Sequence, residues 1–251
     1  MSQRLARKRI IVTGAATGIG RAVAAAAAAE GARVVIADMA EEAGRSTAAE
    51  LGPAARFIHC DVADEASVAS MTAEAVDWLD GLDGLVNNAG LQLAGPLASF
   101  ETRGWDRLMA VNVRGVFLAT REAVPHLKGA GGGSIVNTAS LAAKRGGPGI
   151  SAYTASKGAV MAFTTATALE LAPHSIRANS VCPGFIDTPF NQPAIDFMGG
   201  RAAQAALVKQ MVPLGRQAST DEVAPLYVYL LSDESAYVTA QAVSIDGGVY
   251  N

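Results

Sequence analysis

Short apolar runs alternate with longer stretches of mixed polarity along the whole 251-residue chain. Short runs rich in valine and isoleucine are typical of buried strands, whereas apolar residues that recur every three or four positions are typical of helices. The apolar runs predict strands at residues 9–13, 33–37, 56–60, 84–87, 134–138, 176–182 and 242–245. The longer stretches predict helices near residues 18–30, 41–51, 65–79, 102–128, 152–172 and 220–231. This order predicts the α/β class, with a doubly wound parallel sheet of about seven strands and helices on both faces.

No linker or repeat interrupts the alternation, so residues 1–251 are expected to form one domain. One segment departs from the regular pattern. Residues 188–214 combine three prolines and two adjacent glycines with several apolar side chains. A long irregular segment that follows a strand is a common position for a lid over a substrate, and we predict a lid here.

Composition narrows the classes of protein that fit. Of the residues, 50% are hydrophobic and 17% are charged, and the formal net charge is −3. Such a balance gives no field that would attract nucleic acid or an anionic membrane, and no apolar stretch is long enough to cross a bilayer. Three scattered histidines and two cysteines without a C-x-x-C pair provide neither metal-ligand spacing nor a disulfide framework. We expect a cytoplasmic protein with no metal, nucleic-acid or membrane partner.

A glycine-rich turn connects the first predicted strand to the first predicted helix. Its glycines, Gly14, Gly18 and Gly20, follow a G-x-x-x-G-x-G spacing, which is neither G-x-G-x-x-G nor a P-loop. Glycines allow close approach of the backbone, and the free N–H groups at a helix N-terminus attract a pyrophosphate. Asp38 follows the second strand, where a carboxylate can bind the adenosine ribose hydroxyls and would repel the 2′-phosphate of NADP. These features together predict a site for NAD.

Three polar residues in the second half of the chain predict acid–base chemistry. Tyr153 and Lys157 are four positions apart in a predicted helix, so their side chains share one face. The pKa of a phenol is about 10, and a neighbouring ammonium favours its ionised form. Ser140 follows a predicted strand and could hold a substrate oxygen opposite Tyr153. Each residue alone has an ordinary structural explanation, as a cap, a half-buried aromatic ring and a solvated charge, so the prediction depends on the three together.

These features occur in one order along the chain, and over essentially its whole length the chain resembles the single-domain branch of the short-chain dehydrogenase/reductase family. The matching pieces are the turn at residues 13–20, Asp61-Val62, Asn87-Asn88-Ala89-Gly90, Asn112, Ser140, Tyr153-x-x-x-Lys157 and Pro183-Gly184. The resemblance implies a Rossmann fold and an NAD-dependent enzyme that interconverts a small-molecule secondary alcohol and a ketone by hydride transfer.

The resemblance also implies roles for individual residues. It implies that Tyr153 is the acid/base, that Ser140 orients the substrate, and that Asn112 holds a water in a proton relay. It implies that Lys157 binds the nicotinamide ribose and lowers the pKa of Tyr153. The implied cofactor-binding set is Gly14, Thr17, Gly18, Ile19, Gly20, Asp38, Asp61, Val62, Asn88, Ala89, Gly90, Tyr153, Lys157, Pro183, Gly184, Ile186 and Thr188.

Substrate choice is expected to depend on Leu91, Gln92, residues 141–148, Phe185 and the predicted lid. Apolar side chains in the lid favour a medium-sized, largely apolar or cyclic alcohol. A polar group of that alcohol could be bound by Gln92, Asp196 or Arg201, three residues that we treat as alternatives.

Other functions and an oligomeric state follow from the same resemblance. Reduction of a 3-oxoacyl thioester and oxidation of a sugar or polyol stay open, and so does a nucleotide-sensing scaffold that has lost the chemistry. The apolar helices at residues 105–128 and 152–172, with the C-terminal segment at residues 245–248, resemble the contact surfaces of the family and lead us to expect a homotetramer.

Overall fold

The computed structural model describes residues 3–250, and seven parallel strands form its sheet. Their order is β3-β2-β1-β4-β5-β6-β7, so the chain starts at the centre, builds one half of the sheet, and returns to build the other. The strands are β1 (Arg9–Thr13), β2 (Arg33–Asp38), β3 (Ala55–His59), β4 (Gly84–Asn87), β5 (Gly133–Thr138), β6 (Ile176–Pro183) and β7 (Ala242–Ile245). Helices flank both faces, which confirms the predicted doubly wound α/β class.

The helices occupy the connections between strands. They are α1 (Gly18–Ala29), α2 (Glu41–Leu51), α3 (Glu65–Leu79), α4 (Thr102–Met109), α5 (Gly115–Gly129), α6 (Leu141–Arg145), α7 (Ser151–Leu171), α8 (Gln192–Phe197), α9 (Arg201–Met211) and α10 (Thr220–Leu231). None of the helices within residues 3–250 is both long enough and apolar enough to span a bilayer.

The two faces of the sheet bury separate hydrophobic clusters. Ile11 packs with residues of α3, α5 and α7, whereas its neighbours Ile10 and Val12 pack with residues of α1 and α10. Successive side chains of a strand point to opposite faces, so a strand covered on both sides needs an uninterrupted apolar run. In the register of the sheet, Val12 lies between Ile36 of β2 and Val86 of β4. This double burial explains why the strands could be recognised as apolar runs.

The predicted helix at 102–128 differs from the structure at its centre. A π-helical segment, Ala110–Arg114, joins α4 to α5. Here Asn112 turns its side chain toward the loop after β4 and bonds both backbone groups of Leu91. A π-helical turn holds one more residue than an α-helical turn and is found mostly at functional sites.

The segment at residues 188–214 is more regular than its composition indicated. It contains α8 and α9, which are separated by Gly199 and Gly200 in left-handed conformations with φ of +95° and +101°. Pro193 lies in the first turn of α8, where the missing N–H group removes no helical hydrogen bond. The prolines and glycines therefore mark the ends of short helices in this segment.

A buried polar chain fixes two helices to the sheet. Asn87 of β4 donates to Thr120 of α5 at 3.0 Å and to Asn137 of β5 at 2.8 Å. Asn137 in turn donates to the hydroxyl of Thr164 on α7 at 2.9 Å. All four side chains are buried, so the loss of one partner leaves another polar group unpaired in the core.

We predict that Thr164→Val lowers the free energy of unfolding by about 1–3 kcal/mol, because the amide of Asn137 loses its acceptor. The matched control is Thr165→Val, the same change at the next position, where the side chain is exposed. Urea unfolding at one protein concentration measures both variants. Equal, small effects from the two substitutions would contradict the role of the buried chain.

Candidate active site

A cavity of about 690 Å³ lies where the carboxyl ends of the strands meet the loops that follow them. It includes the point between β1 and β4 at which the strand order reverses, the usual ligand site of an open α/β sheet. The expected site residues in its wall are Gly14, Thr17, Gly18, Ile19, Asp38, Asp61, Val62, Asn88, Ala89, Gly90, Ser140, Tyr153, Lys157, Pro183, Gly184, Ile186 and Thr188. Gly20 and Asn112 lie outside the wall.

The glycine turn has the shape of an anion cradle. Gly14 and Gly18 adopt left-handed conformations, with φ of +63° and +59°. A Cβ atom placed on Gly18 would meet only Thr188, at 3.8 Å, so this glycine faces open space. Thr17 precedes α1 without a capping bond from its side chain, which leaves the N–H groups of the first helical turn available. This turn fits a pyrophosphate.

Gly20 is needed for the close packing of the glycine turn. A Cβ atom at this position would overlap the carbonyl oxygen of Gly14 and lie 2.5 Å from the amide nitrogen of Asn88. That amide donates to the carbonyl oxygens of Thr13 and Gly14, at 3.2 and 2.9 Å. The hydroxyl of Thr13 accepts from the backbone N–H groups of Asn88 and Ala89, both at 3.1 Å. The loops after β1 and β4 are thus tied together.

Asp38 is held rigidly at the end of β2. One carboxylate oxygen accepts from the N–H of Ala16 at 3.0 Å, and the other accepts from the N–H of Ala40 at 2.9 Å. Among the described residues, the lysines and arginines of the cavity wall are Arg145 on α6 and Lys157 on α7, both on elements remote from β2 in sequence. The end of the cavity beside Asp38 therefore carries a fixed carboxylate, and neither β2 nor the glycine turn contributes a lysine or arginine to the wall.

Tyr153 and Ser140 bring two hydroxyl groups together. Tyr153 lies in the first turn of α7 and is only 5% exposed. Burial raises the pKa of its phenol to about 12, and a hydrogen bond with the side chain of Ser140 partly offsets this shift. Ser140 also begins α6, because its hydroxyl accepts from the N–H of Ala142 at 3.0 Å. A substrate oxygen that reaches one hydroxyl can reach both.

Lys157 lies one helical turn beyond Tyr153 and is 3% exposed. Its Nζ donates to the carbonyl oxygen of Thr138 at 2.8 Å and lies 6.0 Å from the centre of the Tyr153 ring. Burial lowers the pKa of this ammonium to about 8. The sequence led us to expect that Lys157 lowers the pKa of Tyr153, and that effect stays a prediction. In the structure burial raises the pKa of the phenol, and the side chain of Ser140 offsets part of the rise.

Asn112 does not line the cavity, but its side chain bonds residues next to those that do. Its carboxamide oxygen accepts from the N–H of Leu91 at 2.7 Å, and its nitrogen donates to the carbonyl of Leu91 and the hydroxyl of Ser156. Ser156 in turn donates to the carbonyl of Tyr153 at 2.8 Å. The side chain of Asn112 thus fixes the loop after β4 against α7, and its role in a water relay stays a prediction.

The structure separates the residues expected to select the substrate. Gln92, Leu141 and Phe185 line the cavity, with Phe190, Phe197 and Met198 from the segment after β6. Leu91, Asp196 and Arg201 lie outside its wall. Asp196 accepts from Gln192 on the exposed side of α8, and Arg201 lies 3.8 Å from Asp187 at the surface. Of the three alternatives for binding a polar group, only Gln92 faces the cavity.

The sequence did not single out Thr138 and Gln204, although both contribute to the site. Thr138 ends β5, and its carbonyl oxygen holds Lys157. Its position at the end of a strand was a usable signal. Gln204 of α9 lines the cavity and is buried, yet nothing in the local sequence distinguishes it from the exposed Gln210 of the same helix. Over residues 3–250, no group of three or more His, Cys, Asp and Glu side chains is arranged to hold a metal ion.

A family model described as "Enoyl-(Acyl carrier protein) reductase" matches residues 14–250, which include all the segments that form the cavity. The chain belongs to the short-chain dehydrogenase/reductase family. The resemblance recognised from the motifs is thereby confirmed at the level of the family.

Individual members of the short-chain dehydrogenase/reductase family match over nearly the full chain. A 3-alpha-(or 20-beta)-hydroxysteroid dehydrogenase of Mycobacterium tuberculosis is 42% identical over 248 residues, which cover 99% of this chain and 91% of that protein. A cyclopentanol dehydrogenase of Comamonas testosteroni is 41% identical over 252 residues, covering 98% of each. The crystal structure of a 3-ketoacyl-(acyl-carrier-protein) reductase from Brucella melitensis complexed with NADH has a TM-score of 0.90 and 34% identity, covering 98% of this chain and 99% of that one.

We predict that the free energy of unfolding rises between pH 8 and pH 10 through Lys157. Its pKa is about 8 in the folded chain and 10.5 ordinarily, so in this range the unfolded chain binds a proton that the folded chain lacks. The difference in free energy of unfolding between the wild type and Lys157→Met should change by about 2 kcal/mol over this range.

Urea unfolding at several pH values measures that difference. The control is Lys209→Met, because Lys209 is exposed and its ammonium keeps its water on folding. A pH-independent difference between the wild type and Lys157→Met would contradict the burial of a titrating ammonium.

Proposed function

We propose that this chain is an NAD-dependent oxidoreductase that interconverts a secondary alcohol and a ketone, with Tyr153 as the acid/base. The observation that carries this proposal is the convergence of Tyr153, Ser140 and Lys157 in the wall of one cavity, which the glycine turn also lines. The two dehydrogenase relatives, which are 42% and 41% identical to this chain, support the reaction class.

In this proposal, different residues of the cavity bind the substrate and transfer the proton. In the oxidative direction Ser140 holds the alcohol oxygen and Tyr153 accepts its proton. Lys157, whose pKa of about 8 leaves it mostly charged at pH 7, favours the phenolate that must form. Its bond to the carbonyl oxygen of Thr138 keeps the ammonium at the end of β5. A bound nicotinamide dinucleotide would supply the hydride acceptor, or the donor in the reverse direction.

Different parts of the proposed cofactor are assigned to different residues of the cavity wall. The glycine turn would hold the pyrophosphate, and Asp38 would hold the adenosine ribose, which favours NAD over NADP. Lys157 would bind the nicotinamide ribose. The remaining assignments place the adenine against Asp61 and Val62, and the nicotinamide half against Asn88, Ala89, Gly90, Pro183, Gly184, Ile186 and Thr188.

The proposed substrate is a medium-sized, largely apolar or cyclic secondary alcohol. The side chains of Leu141, Phe185, Phe190 and Phe197 give the cavity an apolar wall, and the named substrates of two relatives are a steroid and cyclopentanol. Reduction of a 3-oxoacyl thioester is the second candidate. The Brucella melitensis reductase is complexed with NADH, so the choice between NAD and NADP does not separate the two candidates.

Further proposals concern the surroundings of the site. We propose that residues 188–214 form a lid, since Phe190, Phe197 and Met198 reach the cavity from this segment and Gly199 and Gly200 offer a hinge. Exposed Trp105 and Phe117 give the face of α4 and α5 an apolar surface, which supports the proposed homotetramer. The organisation of residues 1–251 as one domain and the cytoplasmic location stay predictions from the sequence.

We predict that Tyr153→Phe lowers kcat for cyclopentanol oxidation with NAD by about 100-fold to 10,000-fold, because the proton of the alcohol loses its acceptor. The dissociation constant for NAD, measured by calorimetric titration, should change little. Tyr237→Phe is the matched control, since Tyr237 is fully exposed at the surface. Unchanged turnover in Tyr153→Phe would instead favour a nucleotide-sensing scaffold.

We predict that Asp38→Asn lowers the ratio of kcat/KM for NAD to kcat/KM for NADP by about tenfold to a hundredfold, because a charged acceptor for the ribose hydroxyls is lost and repulsion of a 2′-phosphate is relieved. Steady-state kinetics with both cofactors measure the ratio. The exposed Asp77, changed to Asn, provides the control. A wild type that prefers NADP would overturn the assignment of Asp38.

A further inference from the structure

Two side-chain amides line the cavity without hydrogen-bond partners. The amide oxygen of Gln92 is buried and accepts no hydrogen bond within the described part of the chain. Gln204 is 5% exposed, and its amide, which is accessible only from the cavity side, makes no hydrogen bond to residues 3–250. Buried polar side chains are nearly always hydrogen-bonded, and leaving one unpaired costs about 1–3 kcal/mol. Unpaired amides in a cavity wall therefore point to a ligand.

The backbone aims Gln92 into the cavity. Leu91 and Leu93 pack into the hydrophobic cluster that contains Tyr153 and Leu108, and neither lines the cavity. Gln92, between them, does line it, as expected where successive side chains of an extended segment alternate. Both backbone groups of Leu91 are bonded to Asn112, so the position of the segment is fixed.

Helical spacing aims Gln204 into the same cavity. Gln204, Leu207 and Met211 of α9 are three and four positions apart, and all three line the cavity. The exposed Gln210 of the same helix does not line it. One amide thus enters from the loop after β4 and the other from the proposed lid, into a wall that is otherwise largely apolar.

We propose that Gln92 and Gln204 are specificity-determining residues that hydrogen-bond a second, uncharged oxygen of the substrate. This inference rests on the proposed function. A carboxamide offers one acceptor and two donors without net charge, so a pair of them suits a hydroxyl or a carbonyl oxygen. A carboxylate would instead call for a cation, and Arg145, at the edge of the cavity, is exposed to water. The substrate is then a cyclic alcohol with an apolar body and one further hydroxyl or carbonyl group.

The test compares cyclohexanol with the cyclohexanediols as substrates, with NAD, in the wild type, Gln92→Leu, Gln204→Leu and the control Gln210→Leu. We expect the wild type to favour at least one diol over cyclohexanol in kcat/KM by about tenfold or more. Each cavity variant should reduce this preference by about tenfold, whereas Gln210→Leu should keep it. Thermal unfolding of each variant establishes that it is folded.

Calorimetric titration of the same alcohols into the enzyme with NAD gives affinities that do not depend on turnover. Absence of turnover with every alcohol would contradict the proposed function, while the ratio of affinities would still test the two glutamines. An unchanged preference in both cavity variants would overturn the inference. A raised KM for NAD in Gln204→Leu, with the preference kept, would assign Gln204 to the cofactor and overturn its role here. If the wild type preferred hydroxycyclohexanecarboxylates, the proposal that the two glutamines bind an uncharged oxygen would be overturned.

Discussion

The burial of Tyr153 and Lys157 on one face of α7 is the constraint on which the rest of the site depends. Removal from water raises the pKa of the phenol to about 12 and lowers that of the ammonium to about 8, so folding disfavours both charges. Two neighbours compensate in part: the hydroxyl of Ser140 bonds the phenol, and the carbonyl of Thr138 holds the ammonium. Both neighbours belong to the end of β5 or the loop after it, so the sheet positions the chemistry.

The strand order supplies the remaining parts. The strands β1 and β4 are neighbours in the sheet, and the loops that follow them lead to opposite halves of it. The glycine turn after β1 therefore lies beside Asn88 after β4, and hydrogen bonds to Thr13 join the two loops. The π-helical segment adds a second connection, since Asn112 links the loop after β4 to α7 through Leu91 and Ser156. One set of hydrogen bonds thus holds the proposed cofactor site, and a second set holds the loop after β4 against the helix of the acid–base residues.

Local sequence was sufficient for the strands, because burial on both faces of the sheet requires the apolar runs that identify them. Local sequence was also sufficient to identify Gly18, Asp38 and Tyr153 as candidate site residues, because their positions relative to strands, helices and each other are those that the chemistry requires. It was insufficient for the π-helical segment Ala110–Arg114, which contains no proline or glycine. Local sequence could not identify Gln204 either, since the burial of one glutamine of α9 and the exposure of another depend on tertiary packing. The rise in the pKa of Tyr153 could not be predicted for the same reason, because burial cannot be seen in a four-residue spacing.

A crystal structure with NAD and a cyclic ketone bound would show whether Tyr153 is the acid/base, through the distance from the Tyr153 hydroxyl oxygen to the ketone oxygen. We expect a hydrogen bond of about 2.6–3.2 Å, with the hydroxyl of Ser140 bonded to the same ketone oxygen. A ketone oxygen bound more than about 5 Å from Tyr153, well beyond hydrogen-bonding distance, would contradict it.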